Sequence, residues 1–142
     1  MQRALEQAGA AAVMGEVPVG AVVVSGDRLI SEGHNGTRTR QDPTAHAEMV
    51  ALRGAAGRLG WDLLDATIYV SLEPCAMCAG AMVLARVRRL VYGAPDPKAG
   101  MCGSLACLVQ DSRLNHRLEV TRGVLAEDAA ELLRVFFRER RG

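Results

Sequence analysis

The sequence predicts one α/β domain, residues 1–142, with a mixed five-stranded sheet between helical layers in a three-layer α-β-α arrangement. Three observations predict it. Residues 19–33, VGAVVVSGDRLISEG, read as an antiparallel hairpin whose apolar strands meet at Gly26-Asp27. Beyond the hairpin, strand-like and helix-like segments alternate as βαβαβ, which implies a partly parallel sheet covered by helices. At 142 residues and 49% hydrophobic, with no shift of composition, linker or repeat, the chain can bury one core and needs no second domain.

The first element is a helix over about residues 2–14, stopped by Gly15 and Pro18. Arg3 and the small-residue run from Ala8 to Met14 have the outline of a signal peptide, but Glu6 and Gln7 sit where its apolar core should begin. After the hairpin, TIYVSL (67–72), RRLVYG (88–93) and RLEVTRG (117–123) are strand-like. Helical patterns cover 44–58, 74–86 and about 126–140, with a weaker one near 104–110. Two of these helices begin alike: Asp42-Pro43 and Glu73-Pro74 each place proline at the expected first helical position. No apolar stretch reaches the ~18 residues of a membrane span, so no membrane association is expected. Four cysteines without a secretion signal argue against a disulfide scaffold and for a reducing, cytoplasmic setting.

A net charge of +1 supplies no global field to attract a polyanion, so any such binding must be local. Residues 86–98 carry Arg86, Arg88, Arg89 and Lys98 against Asp96, and the tail carries Arg134, Arg138, Arg140 and Arg141 against Glu139. On composition alone these are solvated helix and strand ends, the tail cations complementing a helix C-terminus.

The chemistry concentrates in two segments. In SLEPCAMCAG, Cys75 and Cys78 stand three positions apart behind Pro74, at a helix start whose free N–H groups favour thiolates. That suits a redox pair or a zinc site. The segment DPTAHAEMVALRGAAGR is apolar nearly all round, so it should be buried, yet it carries His46 and Glu48. His46 alone reads as a core histidine satisfied by a backbone carbonyl; a buried glutamate is rarer, because an unpaired carboxylate would be expelled or protonated. A cation nearby explains both. One neutral imidazole and two thiolates around Zn²⁺ form an uncharged set with a fourth position open, the pattern of a catalytic zinc site. Glu48 lies about 200° round the helix from His46, which places it as a proton carrier rather than a ligand. A thioredoxin-type reading of Cys75 and Cys78 explains neither His46 nor Glu48.

His46-Ala47-Glu48 followed 29 positions after His46 by Cys75-Ala-Met-Cys78 resembles the H-x-E…P-C-x-x-C signature of the zinc nucleobase deaminases. From end to end the chain resembles the bacterial tRNA-specific adenosine deaminases (TadA type). EVPVGAVVV, DPTAHAEMVALR, LEPCAMCAGAM, VYGAPDPKAG, NHRLEVTRGVLA and FFRERR are similar to blocks of that family. The resemblance implies a cytidine deaminase-like fold and hydrolysis of adenosine to inosine at the first anticodon position of tRNA. His46, Cys75 and Cys78 would hold one Zn²⁺ per chain, and Glu48 would protonate N1 and then the departing ammonia. It further implies that Asn35 contacts the target nucleoside and that Asp96 lies near its ribose. GAPDPKAG is not a phosphate-binding P-loop, since no G-K-[ST] closes it. For an anticodon stem-loop, Lys98, Arg138 and Arg140 become phosphate contacts and Phe137 or Phe136 a stacking surface, although ELLRVFF also has core spacing. A homodimer is implied as well.

The chain departs from many members by starting a helical turn or more later, and by Cys102 and Cys107, which match no ligand position and read as small, partly buried thiols. His34 and His116 read equally as structural or RNA-contacting. Three functions stay open: an RNA-editing deaminase, a deaminase of free cytidine, guanine or their nucleotides, and an idle zinc module. The idle module would not need Glu48, and the preference for RNA rests on the resemblance.

Overall fold

The computed structural model describes residues 1–141. Its elements are α1 (Gln2–Val13), β1 (Gly20–Ser25), β2 (Arg28–His34), α2 (Ala47–Leu59), β3 (Ala66–Leu72), α3 (Ala76–Leu84), β4 (Arg89–Ala94), β5 (Glu119–Thr121) and α4 (Ala126–Arg141), with a 3₁₀ turn at Leu108–Gln110. The five strands form one sheet in the order β2-β1-β3-β4-β5. β1 pairs antiparallel with β2, closing on Ser25 opposite Arg28, and antiparallel with β3. β3, β4 and β5 run parallel.

The alternation of side chains along a strand divides the core in two. Ala21 and Val23 of β1, Ile68 and Val70 of β3, and Leu90 of β4 join Leu63 and Met82 in the main apolar cluster under α2 and α3. Val22 and Val91 belong to the opposite face, where α1 contributes the buried alanines Ala4, Ala8 and Ala11 and packs on α4. Each fully buried Leu, Ile, Val or Met side chain stabilises this arrangement by roughly 1.5–3 kcal/mol. α2 lies almost on the backbone of β2: a Cβ at Gly33 would meet Ala47 O at 2.8 Å and Ala51 N at 2.9 Å. That contact fixes the height of the start of α2 above the sheet.

The structure moves several boundaries. α2 starts at Ala47, not near 44, because the Asp42 carboxylate accepts hydrogen bonds from the amide and hydroxyl of Thr44 and turns the chain there. α3 starts at Ala76, with Cys75 still extended (φ −77, ψ 179), so both prolines precede the helices rather than open them. α2 is not apolar all round: Arg53, Gly57 and Arg58 are exposed. The helical pattern near 104–110 holds only the 3₁₀ turn, since Gly103 (φ +147) and a Cys102–Cys107 bridge fold that segment back on itself. The second parallel crossover is therefore a loop rather than a helix. Asn35 follows β2, Glu73 follows β3 and Pro95 follows β4, all at the sheet edge where the parallel strands end, which is where open α/β sheets place their ligand crevices.

Candidate metal centre and catalytic site

Two helix starts converge at that edge. His46 is the N-cap of α2, Cys75 the N-cap of α3, and Cys78 lies in the first turn of α3. His46 Nδ1 stands 3.5 Å from Cys75 Sγ and 3.5 Å from Cys78 Sγ, and the ligand atoms of the three all lie within 4.8 Å of one another. A tetrahedral zinc with Zn–S of ~2.3 Å and Zn–N of ~2.05 Å separates its nitrogen and sulfur ligands by about 3.5–3.6 Å. The donor set therefore fits that ion in kind and in spacing.

The electrostatics agree with the spacing. The Cys78 side chain, then that of His46, pulls Cys75 down to about 3, while Cys78 moves upward because of its interaction with Cys75 and its burial. The pair thus shares one proton, which a divalent cation would displace. The Cys75 side chain also raises His46. Beside them Glu48 is only 4% exposed, and burial raises its carboxyl above the usual glutamate range. Asn35 is 8% exposed; its Nδ2 donates to Val17 O at 3.3 Å, but its buried Oδ1 has no partner among the described residues. Such an acceptor costs about 1–3 kcal/mol until a donor reaches it.

Two further buried carboxylates hold the loops at this edge. Glu73, directly before Pro74-Cys75, accepts hydrogen bonds from the amides of Asp96, Cys102 and Ser104 at 2.9–3.0 Å and from the Ser104 hydroxyl. Gly100 makes this possible, since a Cβ there would stand 2.3 Å from the carboxylate carbon of Glu73. Glu16 accepts from the amides of Arg38 and Thr39 and from the Thr39 hydroxyl, holding the loop between Asn35 and His46. Burial pushes both carboxyls up, but these hydrogen bonds outweigh it and leave both below the usual glutamate range.

Over residues 1–141 the chain matches the family model described as MafB19-like deaminase. It is 50% identical to the tRNA-specific adenosine deaminase of Haemophilus influenzae, over 99% of this chain and 83% of that one. It is 49% identical to the protein of the same description from Bacillus subtilis, over 99% and 88%. The chain belongs to the tRNA-specific adenosine deaminase family. A solved tRNA:A34 deaminase, studied for A-to-I editing at the wobble position, superimposes with a TM-score of 0.90 at 43% identity, over 94% of this chain and 97% of that one. The guanine deaminase of Nitrosomonas europaea superimposes with a TM-score of 0.82 at 28% identity, over 95% and 81%.

Within this deaminase the remaining expected residues lie in different places. The Asp96 carboxylate accepts from the amides of Lys98 and Ala99, shaping the loop after β4, and Lys98 is exposed on it. On α4, Phe137 is 46% exposed and meets the buried Phe136 edge-on at 5.3 Å. Arg140 lies over the Phe136 ring at 4.7 Å and reaches Gly15, next to Glu16. Arg138 and Phe137 border a separate shallow surface with Leu133, Arg134 and Arg141.

The basic stretch from Arg86 to Lys98 is not one patch. Arg86, Arg88 and Arg89 precede or open β4 and Lys98 follows it, so the strand, about 20 Å long, separates them. Arg86 pairs with Asp62, and Arg134 with Glu127 and Glu131. His116 Nε2 donates to Val87 O at 2.7 Å, tying the long crossover to the base of β4. Sequence reasoning missed Glu16 and Glu73; the available signal was a carboxylate inside two otherwise apolar runs, GEVPVG and SLEPC.

Proposed function

We propose that this chain hydrolyses adenosine to inosine and ammonia at the wobble position of a tRNA anticodon stem-loop, with one zinc ion held by His46, Cys75 and Cys78. The observation that carries the reading is that convergent His-Cys-Cys set, with buried Glu48 beside it, in a chain half identical to tRNA-specific adenosine deaminases. Zinc in such a set makes water acidic near neutral pH, against ~15.7 in bulk, and so supplies a nucleophile. Glu48 takes a proton from water and delivers it to N1 of the purine as the hydroxyl adds to C6. It then takes the proton of that added hydroxyl and passes it to the C6 amine, so that the C6–N bond breaks, ammonia leaves and C6=O forms. Its buried, upward-shifted carboxyl suits a group that must both accept and release a proton. Asn35 offers its unpartnered Oδ1 to a donor on the target nucleoside, and the loops held by Glu16 and Glu73 wall the site on either side.

Asp96 and Lys98 stand on the loop after β4 as nucleoside-side and phosphate contacts. On α4, Phe137 and Arg138 serve as a stacking and phosphate surface for the RNA, and Arg140, over the Phe136 ring on a different surface of the helix, as a further phosphate contact. The active form is a homodimer in the cytoplasm, where tRNA is available. No helix among the described residues is long and apolar enough to cross a membrane.

The likeness to a guanine deaminase makes free bases the rival substrates. The test compares kcat/KM on an anticodon stem-loop carrying adenosine at the wobble position with kcat/KM on free adenosine, cytidine and guanine. Binding energy from flanking nucleotides is realised only on the stem-loop, so it should be preferred by orders of magnitude. If any free compound is turned over as efficiently, the RNA reading falls and a small-molecule deaminase replaces it.

A further inference from the structure

Cys102 and Cys107 take no part in this chemistry, yet the fold sets them opposite each other. They form an isolated antiparallel bridge, flanked by hydrogen bonds from Leu108 N to Met101 O and from Gly103 N to Ala106 O, each 2.9 Å. That pattern puts the pair in the narrow, non-hydrogen-bonded position, where opposed Cα atoms stand about 4.5 Å apart and side chains leave the pleat on the same side. A disulfide spans Cα separations of roughly 4.4–6.8 Å. Burial is consistent with the shared side: Cys102 is part of the main apolar cluster and Cys107 packs half-buried against it. One guanidinium touches both residues, Arg122 Nε donating to Cys102 O at 3.2 Å and Nη2 to Cys107 Sγ at 3.7 Å.

We propose that Cys102 and Cys107 are a reversible disulfide site that reacts by exchange with low-molecular-weight disulfides. Access sets the order of events. Cys107, half-exposed and with positive charge beside its sulfur, attacks one sulfur of the small disulfide as a thiolate; that S–S bond breaks and one small thiolate leaves. Cys102, wholly buried, then loses its proton and attacks Cys107 Sγ, displacing the second small thiolate. The two protein thiols lose two electrons and two protons, and the small disulfide gains them as two thiols. The bond closes the hairpin whose Cys102 and Ser104 amides hold Glu73, so it fastens the loop at the edge of the site.

Oxidised glutathione is the probe, applied to the purified full-length chain before free thiols are alkylated and the chain is cut with trypsin. The peptide covering residues 99–113 contains both cysteines. It should appear unalkylated and lighter by two hydrogens, and dithiothreitol should restore two alkylatable thiols. In Cys102→Ser, Cys107 should instead accumulate as a stable glutathione adduct. In Cys107→Ser, Cys102 should stay unmodified, a second check if the buried substitution unfolds the chain. A persistent adduct on Cys107 in the wild type, or two free thiols in that peptide after prolonged exposure, would overturn the proposal.

Discussion

Replacing Glu73 by glutamine keeps the shape of the side chain and removes its charge, which isolates what the carboxylate does for the loop after β4. Oε2 accepts from the Cys102 and Ser104 amides, and Oε1 from the Asp96 amide and the Ser104 hydroxyl. Backbone donors cannot reverse, whereas a hydroxyl can. Glutamine's least costly orientation therefore keeps its oxygen at the Oε2 position and turns its NH₂ toward Ser104 Oγ, leaving the Asp96 amide facing another donor. One orphaned buried donor costs about 1–3 kcal/mol, and each remaining bond falls from the charged range of about 1.5–3 to the neutral range of about 0.5–1.5 kcal/mol. Since these losses do not add fully, Glu73→Gln should lower stability by roughly 2–4 kcal/mol. With a urea slope near ~2 kcal/mol per molar, the unfolding midpoint followed by circular dichroism should drop by about 1–2 M. Loosening of the Asp96–Ser104 loop should also lower kcat/KM on the stem-loop while zinc content stays unchanged. A midpoint within ~0.2 M of wild type, with full activity, would refute the idea that this carboxylate holds the loop.

Three other outcomes are expected. Cys75→Ala should abolish zinc binding, measured by elemental analysis, and Cys102→Ala should not; the reverse result would displace the ligand assignment. Glu48→Ala should keep zinc and stem-loop affinity but lose at least the ~10²–10⁴ of a general acid–base group, and activity within tenfold of wild type would remove its proton-carrying role. Glu16 has a folded pKa below its ordinary value, so its stabilisation is fully present above the unfolded value of about 4.3 and is lost as pH falls through the lower folded one. Thermal midpoints measured from neutral pH down to about pH 2.5 should show a shallower acid-side decline in Glu16→Gln than in wild type, and parallel curves would exclude the contribution.

Much of the architecture was legible because it rests on local patterns. The hairpin turn at Gly26-Asp27, the apolar runs of β3 and β4 and the amphipathic α4 each carry their own signal. The errors lie where side chains compete with the backbone. Asp42 turns the chain around Thr44 instead of letting Pro43 open a helix, and near 104–110 the Cys102–Cys107 pairing takes the Leu108 amide to Met101 O, where a helix would have bonded it to Ser104 O. The pattern of residues at 104–110 holds no trace of that pairing with Met101 and Cys102. Likewise, arginines close in sequence to Lys98 count as one patch until the length of β4 parts them.

The same competition explains why the site is built on two boundaries that sequence reasoning placed too early. Had α2 begun at Thr44, His46 would lie within the first turn, its own amide and dihedrals fixed by the helix. As the N-cap it keeps an extended backbone (φ −69, ψ 153), and Cys75 does the same at the start of α3. Two residues with extended backbones, each leading into a helix, aim their side chains across the gap between the helices, and Cys78 on the first turn of α3 completes the set. Glu16 and Glu73 then bear on the same edge from outside: each takes the amides of a loop, so that those backbone donors are paired. The buried Asn35 Oδ1 stands apart from that pattern, as a polar atom without a partner among the described residues at the edge where His46, Cys75 and Cys78 converge. A group left unsatisfied inside a well-satisfied frame is what the proposed contact between Asn35 and a donor on the nucleoside requires.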